Sequence, residues 1–197
     1  MHEETGRPDG IPSERGGTSE AVSPKEPLVT VPFVPDFHFK DQFTCLKSGR
    51  VQEFVRSDPQ RLVSCNYTKV FVLPNLSDPR RILGFYALSA CTVARDHTTT
   101  QQQKRIPRGL PVPMVLIGYM GRDDNAPRGL GPALIVDAAR RVDRISELGI
   151  WGIALHAENE ELATKVYLKA GFKRAKQLPG VSGSHLLMFA PLASLLP

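Results

Sequence analysis

The chain of 197 residues has no run of about 18 apolar residues, so no membrane-spanning helix is expected. Its N-terminus, "MHEETGRPDG", lacks the apolar stretch of a signal peptide, and cytoplasmic residence is the expectation. Cysteine is scarce: Cys45, Cys65 and Cys91 are odd in number, and no CxxC pair exists. The five histidines are dispersed, so neither a disulfide framework nor a metal site is expected. Residues 1–30 contain no aromatic residue and are rich in Gly, Pro, Ser and Glu. Such a composition buries too little apolar surface to offset chain entropy, which predicts a disordered acidic tail over 1–30 and one folded domain over 31–197. No internal repeat is present.

Charge is unevenly placed. Residues 1–39 carry three Lys/Arg against seven Asp/Glu, although the whole chain is formally +5. The remainder is therefore distinctly basic, and a basic surface attracts phosphate-rich partners.

Hydrophobic patterning gives the element order. "VPFVPDFHF" reads as an extended arm and "CLKSGRVQEFVRSD" as a short helix. "TKVFVLP" and "RILGFYALSACTVA" read as a hairpin around the turn "NLSDPRR". "RDHTTTQQQKRIPRG" has no hydrophobic period and reads as a polar connection. "VPMVLIGYM" is apolar throughout, as in a strand covered on both faces. "GLGPALIVDAARRVDRISELG" predicts an amphipathic helix stopped by Gly149. "IWGIALHA", "ENEELATKVYLKAG" and "HLLMFAPL" complete a strand–helix–strand ending. The order predicts an α/β (α+β) layer fold with a mixed central sheet.

The glycines of "NAPRGLGPAL" stand between a buried strand and a long helix. A helix N-terminus offers unpaired amides and a partial positive charge, a site for an anion. The nucleotide pattern GxxxxGK[ST] is absent. The dinucleotide pattern fails because Leu134 stands where its third glycine belongs, and no acid follows at the end of the next strand. Close helix–strand packing without any ligand is the other reading of such glycines.

At this turn the chain resembles the GNAT superfamily of acetyl-CoA-dependent N-acetyltransferases, whose signature is Gln/Arg-x-x-Gly-x-Gly/Ala. Gly129-Leu130-Gly131 fits its last three positions, and Ala126 departs from its first. Downstream, "ENEELATKVYLKAGF" is similar to the superfamily's closing helix, with Asn159, Ala163, Tyr167 and Gly171-Phe172 at family spacing. "FTC", "GFYALS" and "VPMVLIGYMGRD" resemble, in order, segments of one branch, the GNAT toxins of bacterial toxin–antitoxin pairs. That branch has arginine at Tyr119, small and apolar residues at Gly121-Arg122, and glycine at Leu46.

The resemblance implies a GNAT-type mixed sheet with splayed parallel strands and flanking helices. It implies acetyl-CoA as acyl donor, its pantetheine along the backbone of Met120, Gly121 and Arg122. The pyrophosphate would rest on Arg128, Gly129, Leu130, Gly131, Pro132 and Ala133, with Asn159 also at the cofactor. A backbone N–H near Met120 would stabilise the oxyanion, and Tyr167 would protonate the leaving thiolate. The branch implies aminoacyl-tRNA as acceptor, a cognate antitoxin as partner and homodimerisation.

No side chain reads clearly as a base; His156 ends its strand and reads equally as packed or exposed. An α-amine, with a reference pKa of about 7.7–8.0, is partly neutral at cellular pH, which suits an acceptor of that type. Candidate RNA contacts are Arg80, Arg81, Arg95, Lys104, Arg105 and Arg108 in the first half, and Lys165, Lys169, Lys173, Arg174 and Lys176 in the second. Arg140, Arg141 and Arg144 lie on the long helix. Three functions stay open: acetylation of aminoacyl-tRNA, acetylation of a small-molecule or protein amine, and non-catalytic binding on a GNAT scaffold.

Overall fold

The structure is a computed structural model that describes residues 28–57, 59–176 and 186–196. Seven strands form one sheet in the order β1-β2-β3-β4-β5-β7-β6. The strands are β1 (Val31–Pro32), β2 (Lys69–Pro74), β3 (Ile82–Val93), β4 (Val112–Arg122), β5 (Gly152–Ala157), β6 (Lys173–Arg174) and β7 (Leu186–Pro191). Among the described residues only β4 and β5 pair in parallel; every other pairing is antiparallel. The predicted hairpin is β2–β3, and the predicted mixed sheet is present.

The helices are α1 (Gly49–Ser57), α2 (Pro59–Ser64), α3 (Thr100–Gln103), α4 (Leu130–Asp143) and α5 (Glu160–Leu162). Alternation along the strands sends side chains to two covered faces. On one face Leu134, Ile135, Ala138, Ala139 and Val142 of α4 pack with Tyr86, Val115, Ile117, Ile153 and Leu155. On the other, Phe54 and Val55 of α1 pack with Val70, Val72, Phe85 and Ala87. Farther along that face, Ile106 of the β3–β4 connection packs with Met114, Ala154 and Phe189.

Three local readings are corrected. Helix α4 ends at Asp143 rather than at Gly149. Its last core residue is Val142, and Ile145 and Leu148 are exposed, so no burial favours another turn. The polar connection contains α3, closed by a capping box in which Thr99 and Gln102 exchange side chain–backbone hydrogen bonds. Strand β5 starts at Gly152, where a Cβ would lie 2.2 Å from the carbonyl oxygen of Ala190 on β7.

Residues 1–27 of the expected tail lie outside the described residues. Leu28 packs against the α4 core and Thr30 is buried. The Thr30 hydroxyl donates to Asp137 Oδ2 at 2.6 Å, and the fully buried Tyr86 hydroxyl donates to the same oxygen at 2.5 Å. Arg141 donates to the Tyr86 and Thr30 hydroxyls and to the Thr30 carbonyl, each at 3.0 Å, and lies over the Phe71 ring. Arg141, a candidate RNA contact by sequence, is thus spent on tying the arm and β3 to α4. Burial, followed by the hydrogen bond to Asp137, pushes Tyr86 up to about 12.

A raised phenol contributes stability below its ordinary pKa near 10, and that contribution fades as pH rises towards 12. Wild type should therefore lose stability more steeply between pH 10 and 12 than Tyr86→Phe, which should itself be weaker by about 1–2 kcal/mol at neutral pH. Urea denaturation across that range measures both.

Candidate active site at the divergence of β4 and β5

Strands β4 and β5 pair only from Met114↔Gly152 to Ile117↔Leu155. Beyond that point β4 continues against β3 as far as Arg122, and β5 continues against β7 as far as Ala157. The two strands separate here. The β3–β4 register shifts at the same place: Leu88 faces Ile117 and Ala87 faces Tyr119, so Gly118 is an extra, bulged residue. Gly118 and His156 are exposed although both belong to strands in the middle of the sheet, and a Cβ at Gly118 would touch nothing. The neighbouring Ile117, Leu155 and Ala157 are buried. A gap between the unpaired strand edges, reached by solvent at Gly118 and His156, therefore lies at this level.

At the end of β4 the chain turns into α4 over a scaffold of internal hydrogen bonds. Asp123 is 3% exposed; its Oδ2 accepts from Thr44 N and Oγ1, and its Oδ1 from Asn125 N. Arg122 Nη1 donates to the carbonyls of Asp123 and Ala126 at 3.0 Å. Ala126, at the signature's departing position, is buried, and the Arg122 guanidinium braces the turn from within. The following Pro127, Arg128 and Gly129 are exposed. Gly129 has φ 90°, the left-handed region that glycine tolerates, and α4 has no side-chain cap. A Cβ at Gly129 or Gly131 would meet no atom, so close helix–strand packing does not account for these glycines. Exposed amides at an uncapped positive helix end, with open space above them, fit a diphosphate. Pro132 contributes no N–H.

Gly121 differs. A Cβ there would lie 2.4 Å from Val51 of α1, so only its backbone can serve a ligand. Tyr119, where the toxin branch has arginine, stacks on Phe54 with ring centroids 3.9 Å apart and belongs to the α1 core. Met120 points the other way, into the α4 core.

Tyr167 arises from the end of β5. Asn159 caps α5, its Oδ1 accepting from Leu162 N at 2.9 Å. That carboxamide oxygen is therefore committed to the helix, a role its candidacy at the cofactor did not include. The predicted α-helix becomes a π-turn over Ala163–Tyr167, with Leu168 N bonded to the Ala163 carbonyl and Phe172 N to the Tyr167 carbonyl. Such turns gather at functional sites. Gly171 closes the segment at φ +99°. The Tyr167 ring meets Phe172 edge-on at 5.9 Å. Among the described residues its hydroxyl has no hydrogen-bond partner. Burial, then the charge of Glu158, raises its pKa above 10. The phenol thus holds its proton at neutral pH and can hydrogen-bond a developing thiolate.

The loop from Thr44 to Lys47 closes the third side. Asp124 Oδ2 accepts from Leu46 N at 2.8 Å, and Asp124 N donates to the Thr44 carbonyl at 2.9 Å. Cys45 lies within electrostatic reach of Asp124, Arg122 and Glu158, and burial pushes its thiol up. Lys47 acts in turn on Glu161. The turn after β4, this loop and the start of the Tyr167 segment therefore border one opening. The anchors Asp123 and Asp124 escaped sequence reading because "RDDN" carries only a generic turn signal; their partners are about eighty positions away.

The basic candidates separate by environment. Lys165 pairs with Glu161, Arg174 with Glu160 and Arg80 with Asp78, which lowers their free charge. Arg81, Lys169 and Lys173 are exposed. Arg95, Lys104 and Arg108 line a cavity of about 400 Å³ with Thr100, Gln103 and Ile106. Arg105 is exposed beside them. The Lys176 ammonium donates to Thr100 Oγ1 at 3.4 Å, which brings the two distant basic stretches together.

A sheet that opens between its parallel strands, with an uncapped glycine turn after the first and a tyrosine helix after the second, defines the GNAT fold. No family model matches the chain. The chain is similar in structure to a tyrosine-to-phenylalanine mutant of KacT, with 25% identity and a TM-score of 0.72 over 86% of this chain and 98% of that one. It is likewise similar to AtaT complexed with acetyl-methionyl-tRNAfMet, with 22% identity and a TM-score of 0.72 over 85% and 96%. In sequence it is 34% identical to a tRNA-acetylating toxin of Mycobacterium tuberculosis (strain ATCC 25618 / H37Rv) over 83 residues, 41% of this chain and 49% of that protein. The match thus spans about half the length of that relative. The chain is a GNAT-fold protein whose structural neighbours are GNAT-fold toxins.

Proposed function

We propose that this protein transfers the acetyl group of acetyl-CoA to the α-amine of aminoacyl-tRNA. The observation that carries the reading is the opening between β4 and β5, flanked by the glycine turn and by Tyr167. In this reading the free edge of β4 at Met120, Gly121 and Arg122 holds the pantetheine arm. The amides from Arg128 to Ala133 take the diphosphate, with Arg128 adding charge. When bound, acetyl-CoA supplies a thioester carbonyl as electrophile. A backbone N–H near Met120 faces the developing oxyanion, and Tyr167 gives its proton to the departing sulfur.

The relatives point to the acceptor. The M. tuberculosis protein is a tRNA-acetylating toxin, and AtaT is found with acetyl-methionyl-tRNAfMet. An AtaT mutant is also found with the C-terminus of the antitoxin AtaR and acetyl-CoA. By analogy, an antitoxin and a second copy of this chain are the expected protein partners. The cavity of Lys104, Arg108 and Arg95, the last donating to the Gln103 and Ile106 carbonyls, supports a polyanionic acceptor: among the described residues no carboxylate lines it. It lies by the start of β4, roughly 30 Å from the glycine turn at the usual rise per residue. A long acceptor can reach both places, and a small amine cannot.

Incubation of wild type with acetyl-CoA and a mixture of charged tRNAs should yield N-acetyl-aminoacyl-tRNA. Failure on charged tRNA with turnover of free amines would move the assignment to a small-molecule acetyltransferase. Phosphate contacts also predict that kcat/KM for charged tRNA falls by about tenfold or more between 50 and 200 mM salt. The KM for acetyl-CoA, held mainly by a local site, should change far less.

A further inference from the structure

We propose that His156 is the group that takes the proton from the incoming ammonium, so that the free amine can attack. This inference rests on the acetyltransferase reading of the same opening. His156 is the first residue of β5 past its last partner on β4, and it stands level with the bulged Gly118. It is exposed between the buried Leu155 and Ala157.

Its face decides its role. Leu155 and Ala157 belong to the α4 core, the side on which Tyr167 and Met120 also pack. Ala154, two residues before His156, belongs to the opposite face. His156 therefore projects to the side of Tyr119 and α1, away from Tyr167. A donor whose diphosphate lies on the α4 turn presents its thioester through the opening, and the nucleophile arrives from the other side. One titratable side chain thus stands where the amine enters and another where the thiolate leaves.

Among the described residues, α1 carries the exposed Arg50 and Glu53, and the other charged or titratable groups around the opening have different positions. Cys45, Arg122 and Asp124 form one border, with Arg122 and Asp124 committed to holding the turn and the loop. Glu158 acts on Tyr167, Lys47 acts on Glu161, and Tyr119 is stacked on Phe54. The β7 residue paired with His156 is Leu187, which is apolar.

The proton balance closes. The ammonium nitrogen gives one proton to the imidazole and then bonds to the thioester carbon, and its surplus proton is shed as the amide forms. The carbon–sulfur bond breaks, and sulfur takes the proton of Tyr167. The protons held by nitrogen and by imidazole restore the phenol, directly or through water, and one is released. Imidazole and an α-amine have neighbouring reference values, about 6.5 and about 7.7–8.0, so a proton can pass from one to the other.

His156→Gln and His156→Ala, assayed with charged tRNA from pH 6 to 9, test this. Both should lower kcat/KM about 100-fold at pH 6.5, with the deficit shrinking to within about fivefold at pH 9, where the amine is neutral unaided. Added imidazole should restore His156→Ala at low pH, and acetyl-CoA affinity by calorimetry should stay within about twofold. A deficit independent of pH, or one that tracks lost acetyl-CoA affinity, overturns the inference and makes His156 a structural residue of the opening. A wild type inactive on every amine overturns the acetyltransferase reading and this inference with it.

Discussion

Tyr167→Phe should lower kcat about 100- to 1,000-fold while acetyl-CoA affinity stays within about twofold. The substitution removes one oxygen from a ring whose packing against Phe172 and the α4 core is otherwise kept. Among the described residues that oxygen bonds to nothing, so its loss leaves no orphaned partner and stability should hold. Burial and Glu158 both favour the protonated phenol, which keeps the acid form available at the pH of the reaction. A thiolate leaving without it must be protonated by water, and that difference is felt in the chemical step alone. Steady-state kinetics together with calorimetry separate the two quantities. Equal activity of the variant and wild type would remove Tyr167 from the mechanism.

Gly131→Val is expected to act on the ligand without acting on the fold. A Cβ at Gly131 meets no protein atom, and the residue sits in the first turn of α4 with an ordinary helical backbone. A branched side chain there enters the space assigned to the diphosphate and shields the amides beneath it. Acetyl-CoA affinity should fall about 30- to 100-fold, a loss of roughly 2–3 kcal/mol, while Tm moves by no more than about 3 °C. The opposite outcome, a large fall in Tm with affinity unchanged, would mean that the glycine serves packing. Gly129→Val is a poorer probe because the left-handed φ at Gly129 adds backbone strain of its own.

The parts legible in sequence were those set by local pattern. The apolar run of β4, the glycine turn and the amphipathic stretch of α4 each follow from neighbours a few positions apart. The order of the matched motifs then placed Tyr167 and the turn on one fold. Features fixed by distant partners were not legible. Nothing in "VLIGYMGR" reveals that Gly118 is bulged, since the bulge exists only relative to β3. Asp123 and Asp124 read as turn residues until Thr44 and Leu46 are seen beside them. Arg141 read as a candidate RNA contact on the long helix, and only the fold shows it shared between Tyr86 and Thr30. The π-turn at Tyr167 likewise has no marker in "ATKVY", which would suit an α-helix equally well.

The departures from the toxin pattern acquire physical reasons. Tyr119 completes an aromatic stack with Phe54 instead of reaching into the opening. Gly121 makes room for Val51. Ala126 is buried over a turn that Arg122 braces. Each change falls on the supporting side of the site and leaves the amides of the turn and the Tyr167 hydroxyl unobstructed. These departures therefore give no support to a scaffold that has lost its donor.

Acetyl-CoA is expected to occupy the separation of β4 and β5 with its sulfur at Tyr167, and a crystal structure of the complex is the decisive measurement. The expected result is a diphosphate against the amides of Gly129 to Ala133, pantetheine along the backbone from Gly118 to Arg122, and the Tyr167 hydroxyl within hydrogen-bonding distance of sulfur. A ligand bound elsewhere on the surface, or a Tyr167 hydroxyl more than about 5 Å from the sulfur with the turn amides facing only water, would contradict it.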